Sequence, residues 1–357
     1  MKPYVRILLT GVGSPAAPGV IRSLRLSNEI DFDIVGVDCN PDAIGFHMAN
    51  RQFTAPRASV DGFMPFIRQI CVNEKIDLLF SLVTDELIPL SEAEQELLML
   101  GTRLLISPAN SLKKVINKGE LYKELQAIGI PVPDFRIVRT ADDLKQAIRH
   151  LGYPHRPVCF KPTVSDGSRG FHILNNEIDK FRMLFHEKPS SAHISEEELF
   201  GIIDKRTEIP ETIAMEFLPF EEYSVDLLVN KGKVVVAVPR LRVATVGGIS
   251  TKCVIAKEQD IIDYAVLVVE KLQLNGNIGV QVRRDRNRTP KIVEINPRIQ
   301  GTIVHCTAAG INLPVLAVKQ ALGIAPTEAE LNVRWGTRMT RYWEEVFYDA
   351  HGSSFAL

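Results

Sequence analysis

Alternation of apolar strands with helical stretches in the first 106 residues limits the fold most. Val5 to Thr10 reads as a strand, Gly11-Val12-Gly13-Ser14-Pro15 as a turn, 19–26 as a helix and 34–37 as a second strand ending in Asp38. Such a β-α-β unit connects right-handedly. A helix over 62–73, a strand over 77–82, a helix over 91–100 and a short strand over 103–106 continue the pattern. It predicts a mostly parallel sheet. The glycine turn and Asp38 have the outline of a dinucleotide fingerprint. The G-x-G-x-x-G spacing needs glycine at 16, where the chain has alanine, so nicotinamide is disfavoured.

A chain of 357 residues has room for two or three domains. Formal net charge is −1, so the electrostatic footprint of a nucleic-acid binder is absent. Cys39, Cys71, Cys159, Cys253 and Cys306 are odd in number and form no C-x-x-C pair. Neither a zinc site nor a disulfide framework is suggested, which favours a reducing, cytoplasmic setting. No apolar run reaches transmembrane length, so no membrane role is expected.

Chemistry concentrates near the C-terminal third. Lys291 to Ile295 reads as a strand that Pro297 ends, since proline cannot donate to a ladder. Glu294 and Asn296 stand two apart and share a face of an extended chain. Their oxygens suit a hard divalent cation, and Arg298 can grip a phosphate or carboxylate bidentately. A strand over 279–285 should pair with 291–295 and bring Gln281 near Glu294. Upstream, Val158-Cys159-Phe160-Lys161-Pro162 is a strand ending in lysine, followed by Thr163 to Gly170, T-V-S-D-G-S-R-G. Glycine and small hydroxyl residues let backbone N–H groups point at an anion. No Walker A spacing occurs.

These features, in this order, resemble the ATP-grasp enzymes, and the carbamoyl-phosphate synthase large chain in particular. The resemblance is carried by Asn117-Lys118 on a helix followed by G-I-P-V-P at 129–133, by Lys161 and its loop, and by Glu294-x-Asn296-Pro297-Arg298. It covers 111–325 well and the N-terminal part more loosely. It implies an α/β protein with α+β lobes: an ATP-grasp fold whose two lobes clamp ATP, behind an N-terminal Rossmann-like pre-ATP-grasp domain. The divisions expected are 1–110 for that domain, 111–217 for the small lobe with its phosphate loop, 218–330 for the large lobe with the metal site, and 331–357 for a tail.

The resemblance assigns Lys118, Lys161, Ser165, Gly167, Ser168 and Gly170 to nucleotide phosphates. Backbone groups at Glu216 and Leu218 are assigned to adenine, and Glu222 to the ribose hydroxyls. Gln281, Glu294 and Asn296 would hold Mg²⁺ or Mn²⁺, and Arg298 would act on the transferring phosphoryl group. The family usually has aspartate where this chain has Asn117, and often a carboxylate where it has Gln281. The 11–19 turn would shape part of a substrate cleft. Asp85 and Glu86, beyond a strand end, are candidates for an amine substrate, or else first-turn acids behind a Thr84 cap. Arg240 and Arg242 are candidates for a substrate carboxylate, or else solvated charges. Residues 186–210 read as a polar insertion with Ser195 capping a surface helix, and His193 and His305 as non-catalytic.

The activity implied is an ATP-dependent carboxylate–amine ligase working through an acyl phosphate. Its partners are then small-molecule carboxylates and amines, which leaves room for a homodimer. Phosphorylation of bicarbonate or carbamate, and a non-catalytic nucleotide-binding role, are the competing readings.

Overall fold

Tyr4–Thr10 (β1), Asp31–Asp38 (β2), Arg51–Thr54 (β3), Leu78–Ser81 (β4) and Arg103–Leu104 (β5) form a parallel sheet in the order β3-β2-β1-β4-β5. The structure is a computed structural model, and it describes residues 2–165, 169–175, 179–186, 192–350 and 354–355. Strand β1 shows why this sheet is covered on both faces. Ile7 and Leu9 pack with Val20, Ile21 and Leu24 of the helix Ala17–Arg25. Leu8, between them, packs with Phe63 and Ile67 of the helix Phe63–Asn73. Successive strand residues point to opposite faces, and a parallel sheet buried on both sides reads as an unbroken apolar run.

The helix expected over 91–100 is two helices, Thr84–Glu92 and Glu94–Met99. The first begins directly after β4. Val83, not Thr84, occupies its N-cap position and makes no side-chain capping bond.

A second sheet joins Phe135–Thr140 (β6), Val158–Pro162 (β7), His172–Leu174 (β8) and Glu208–Glu216 (β9) in the order β6-β9-β7-β8, with antiparallel pairs. The helix Ala141–His150 packs Leu144 and Ile148 against Val158 and Ala214. Ser195 does cap a helix, Glu196–Ile203, with Glu198 completing a reciprocal capping box.

The third sheet contains Glu222–Asn230 (β10), Lys233–Val246 (β11), Ile249–Ile255 (β12), Gly276–Arg284 (β13), Pro290–Asn296 (β14) and Arg338–Thr340 (β15), in the order β14-β13-β10-β11-β12-β15. Thus β13 and β14 are neighbours, and the last third of the chain contributes an edge strand.

The chain divides into two compact units: Met1–Ile116 with Glu222–Val282 and Glu294–Leu357, and Asn117–Glu221 with Arg283–Val293. Leu228, Val238 and Ile255 of the third sheet share one apolar core with Ile7, Leu9 and Val20, so the N-terminal sheet and the large lobe are one unit. The turn end of the β13–β14 hairpin belongs to the other unit, and 331–357 is part of the first.

Candidate active site

In the first unit, the end of β14 carries the densest set of candidate groups. Asn296 Nδ2 donates to Glu294 Oε1 at 3.3 Å, so the two side chains lie on one face of the strand. Both are half-buried. Arg298 follows past Pro297, with Nε donating to Thr84 Oγ1 (3.2 Å) and Nη1 to the Ile299 carbonyl (3.0 Å). Gln281 lies on the neighbouring strand β13, and its Oε1 accepts from Arg242 Nη1 at 3.1 Å. The same Arg242 atom donates to Glu222 Oε1, and Nη2 donates to the Gly248 carbonyl at 2.6 Å. Arg242 therefore ties together two residues that the sequence suggested for ribose and for metal. Its side chain is 8% exposed, so it is neither a solvated charge nor an open carboxylate grip.

Strand β13 reaches this position through a close packing contact. Gly279 faces Gln300, and a Cβ on Gly279 would lie 2.2 Å from the Gln300 side chain. Gln300 Nε2 in turn donates to Asp226 Oδ1 (3.2 Å) and the Val225 carbonyl (3.3 Å).

Arg240 and Glu86, like Arg242, are displaced from their expected substrate roles. Arg240 is 1% exposed, and its Nε donates to Asp226 Oδ2 at 2.5 Å, so it belongs to the core and not to a carboxylate site. Desolvation would lower its pKa, but the Asp226 charge outweighs that and raises it. His305 and Cys306 pack beside this pair: Cys306 Sγ donates to Asp226 Oδ2 (3.3 Å), and His305 Nδ1 meets Cys253 Sγ at 3.0 Å.

Glu86 is 8% exposed and accepts from the Thr10 hydroxyl and from Ser81 Oγ (2.7 Å). Burial pushes its carboxyl up to about 7, with the two hydroxyls opposing the shift and Asp38 and Asp85 adding to it. A carboxyl held inside by two hydroxyls is not an open grip for an ammonium group. Asp85 is exposed, in the first turn of its helix. Asp38 is committed to its own loop, accepting from the Gly13 N–H (2.7 Å) and the Asn40 N–H (2.8 Å), which is a physical reason against a ribose there.

The second unit holds the two lysines. Asn117 Oδ1 accepts from the N–H groups of Gly119 (2.8 Å) and Glu120 (3.1 Å), capping the helix Lys118–Ala127. Asparagine and aspartate cap helices about equally well, which accounts for an amide where the family usually has the acid. Lys118 is 5% exposed, with Nζ donating to the Ser165 carbonyl (2.6 Å) and its N–H to the Thr163 carbonyl (2.9 Å). Lys161 is 6% exposed, and its Nζ donates to the Val293 carbonyl (3.1 Å), the residue before Glu294.

At the loop's start, Thr163 Oγ1 donates to Glu211 Oε1 (2.9 Å). At its end, Gly170 has φ +70, and a Cβ there would lie 2.7 Å from Pro162. Ser165 is described; Gly167 and Ser168 lie outside the described residues. Glu211 escaped the sequence reading. Arg139, Thr163 and Asn117 hold its carboxyl down at about 2. The available signal was an acid on a β-strand two residues from buried Ile213.

Glu216 ends β9, and its N–H donates to the Asp134 carbonyl at 2.9 Å. Desolvation raises its carboxyl pKa. Leu218 is buried, and its N–H has no partner among the described residues.

Comparison with known proteins bears on the same regions. Residues 7–105 match a family described as "PylC-like, N-terminal domain", and 208–342 one described as "ATP-grasp in the biosynthetic pathway with Ter operon". The carbamoyl phosphate synthase large chain of Methanothermobacter thermautotrophicus is 25% identical over 248 residues, covering 66% of this chain and 21% of that one. A formate-dependent phosphoribosylglycinamide formyltransferase of a Nitratiruptor species is 26% identical over 231 residues, 64% of this chain and 51% of the relative. The chain thus spans about a fifth and about half of the length of these two relatives.

Among solved structures, N5-carboxyaminoimidazole synthetase from Staphylococcus aureus complexed with ADP superposes with a TM-score of 0.64 at 18% identity, covering 92% of this chain and 79% of that one. L-amino acid ligase from Bacillus licheniformis gives 0.66 at 17% identity, covering 93% and 78%. At these identities the structural likeness speaks to fold. Residues 208–342 are thus similar to an ATP-grasp domain, and residues 7–105 to a PylC-like N-terminal domain.

Proposed function

We propose that the protein is an ATP-dependent ligase that activates a small carboxylate as an acyl phosphate and joins it to an amine. The observation that carries this reading is the Glu294–Asn296 pair on one strand face, with Arg298 next along the chain, inside a region that matches an ATP-grasp family. In this reading Lys118, Lys161 and the loop bearing Ser165, Gly167, Ser168 and Gly170 take the nucleotide phosphates. Backbone groups of Glu216 and Leu218 take the adenine, and Glu222 the ribose. The unpartnered Leu218 N–H suits an acceptor on a purine edge.

The donor set fits a magnesium ion. Among the described residues no group of three or more His, Cys, Asp or Glu side chains is placed to hold a metal. Glu294, Asn296 and Gln281 supply one carboxylate and two amide oxygens, so such an ion would take much of its coordination from phosphate and water, as Mg²⁺ commonly does. When bound, it neutralises phosphate charge. The chain's own contribution is positioning and fixed positive charge. Arg298, anchored by Thr84 and the Ile299 carbonyl, would in this reading set its guanidinium against negative charge developing on the transferred group. The acid and amine enter as substrates, and no side-chain nucleophile is needed.

The direct test is ADP release across pairs of small acids and amines with Mg-ATP. The reading expects release that needs both an acid and an amine and yields a product containing both. Release that responds to no pair, or to bicarbonate alone, contradicts it.

A further inference from the structure

Glu211 sits in β9 where β7 gives way to the loop after it. Pro162 pairs with Thr212, so Thr163, the first residue past β7, falls opposite Glu211. The Thr163 N–H donates to the Glu211 carbonyl at 2.9 Å, continuing the ladder one residue beyond the strand. The side chain adds a second hold on the same residue, Oε1 accepting from Thr163 Oγ1 at 2.9 Å. Oε1 also accepts from Asn117 Nδ2 at 3.3 Å, and Oε2 from Arg139 Nε at 2.9 Å. Hydrogen bonds to an ionised carboxylate are stronger than those between neutral groups.

The residues that Glu211 holds are the roots of two elements. Thr163 opens the loop, and its carbonyl accepts from the Lys118 N–H at 2.9 Å. Two residues on, the Ser165 carbonyl accepts from Lys118 Nζ at 2.6 Å. Asn117 caps the helix that begins with Lys118 through Oδ1, and its amide nitrogen is the atom that reaches Glu211. The helix start has little slack: a Cβ on Gly119 would lie 2.8 Å from Ile137 Cδ1 and 3.2 Å from Thr163 Cγ2. Thr163 is 3% exposed, and its hydroxyl has only the Glu211 carbonyl, at 3.4 Å, as a second acceptor among the described residues. One carboxylate therefore joins the lysine-bearing helix to the first residue of the loop, all within the second unit.

We propose that Glu211 is a positioning residue for nucleotide phosphates, acting through Thr163 and Asn117 to set Lys118 and the start of the loop. The inference rests on the ligase reading, in which Lys118 and the loop take those phosphates. The sign of the effect separates it from a simple charge effect. A carboxylate beside a phosphate site repels the phosphates, so by charge alone its removal would tighten binding of an anionic nucleotide. Removing a positioning group does the opposite, because the lysine and the loop must then be ordered at the cost of binding.

Calorimetry on the full chain tests this, with Mg²⁺ and either ADP or a non-hydrolysable ATP analogue. Glu211→Ala keeps the backbone bond to Thr163 and removes only the carboxylate. It and Thr163→Val should each weaken binding about fivefold, the scale of one hydrogen bond to a charged group. Glu211→Gln, which keeps an acceptor for Thr163, should recover part of the loss. The double variant Glu211→Ala/Thr163→Val should bind no more weakly than Glu211→Ala, since both changes remove one shared contact. Unchanged or tighter binding in Glu211→Ala, losses that add in the double variant, or a glutamine variant no better than alanine overturns the inference. A lowered melting temperature with unchanged affinity does so too, leaving Glu211 a role in stability alone. If Glu211→Ala fails to fold, Thr163→Val decides, and wild-type affinity there overturns the inference. Lys118→Ala is the control. If it binds as well as the wild type, or the wild type binds neither nucleotide, the ligase reading fails and takes this inference with it; a loss in Lys118→Ala alone overturns only the inference.

Discussion

Glu86 shows how a residue's environment decides its chemistry. From sequence it was an acid just past a strand end, where ligands of open α/β sheets gather. In the fold it is buried beneath the Thr10 and Ser81 hydroxyls, and burial lifts its carboxyl to about 7. Its folded pKa is raised above the ordinary carboxylate value of about 4.5, so its stability contribution is fully present below about 4.5 and is lost as pH rises through about 7. The shift corresponds to roughly 3 kcal/mol at most. Glu86→Gln should therefore narrow its stability deficit, or overtake the wild type, between pH 5 and pH 8.5. Paired thermal melts at the two pH values check this, and parallel pH profiles for the two proteins would contradict it. Glu211 has the opposite sign. Its carboxyl is held at about 2 by Arg139, Thr163 and Asn117, so its contribution is present above about 4.5 and fades as pH falls toward 2. Neither shift was legible in sequence, because burial and a hydroxyl from another strand leave no local pattern. The Glu294–Asn296 face was legible, because period-two geometry alone sets it.

At the scale of elements, caps and glycines hold the candidate groups in place. Asn117 caps the helix that opens with Lys118. Asn117→Ala should cost about 1 kcal/mol, and Asn117→Asp close to nothing, in chemical denaturation; equal losses for both would show that the cap is not what the side chain contributes. Gly279 lies against Gln300, with 2.2 Å between a Cβ and that side chain. Gly279→Ala should cost about 1–3 kcal/mol by overpacking and disturb the strand that carries Gln281. Near-wild-type stability in the same titration would mean that Gln300 yields easily. The sequence reading found β13 and β14 from their β-branched runs, and the lysine-bearing helix from the G-I-P-V-P break after it. It offered Asp85 and Glu86 as first-turn acids of a helix, one residue off in the cap, but did not see that Arg242 bridges Glu222 and Gln281. That bridge joins residues 20 and 39 positions apart, and only the strand order β13-β10-β11 brings them together.

For the whole molecule, alternation of strands and helices was enough to predict the parallel sheet of the first hundred residues. The core shared by β1 and the third sheet was not legible, because it joins residues more than 200 positions apart. Among the described residues no helix is long and apolar enough to cross a membrane. On the proposed function, the strand end at Glu294 serves Mg-ATP chemistry. Its most direct test is magnesium-dependent ADP release by the wild type and by Glu294→Ala, with an active substrate pair or as basal ATPase. Glu294 is the only carboxylate of the trio with Asn296 and Gln281, and a misplaced phosphoryl group loses on the order of 100-fold in rate. Glu294→Ala should lose about that much turnover with an unchanged melting temperature. Near-normal turnover with normal magnesium dependence would contradict it.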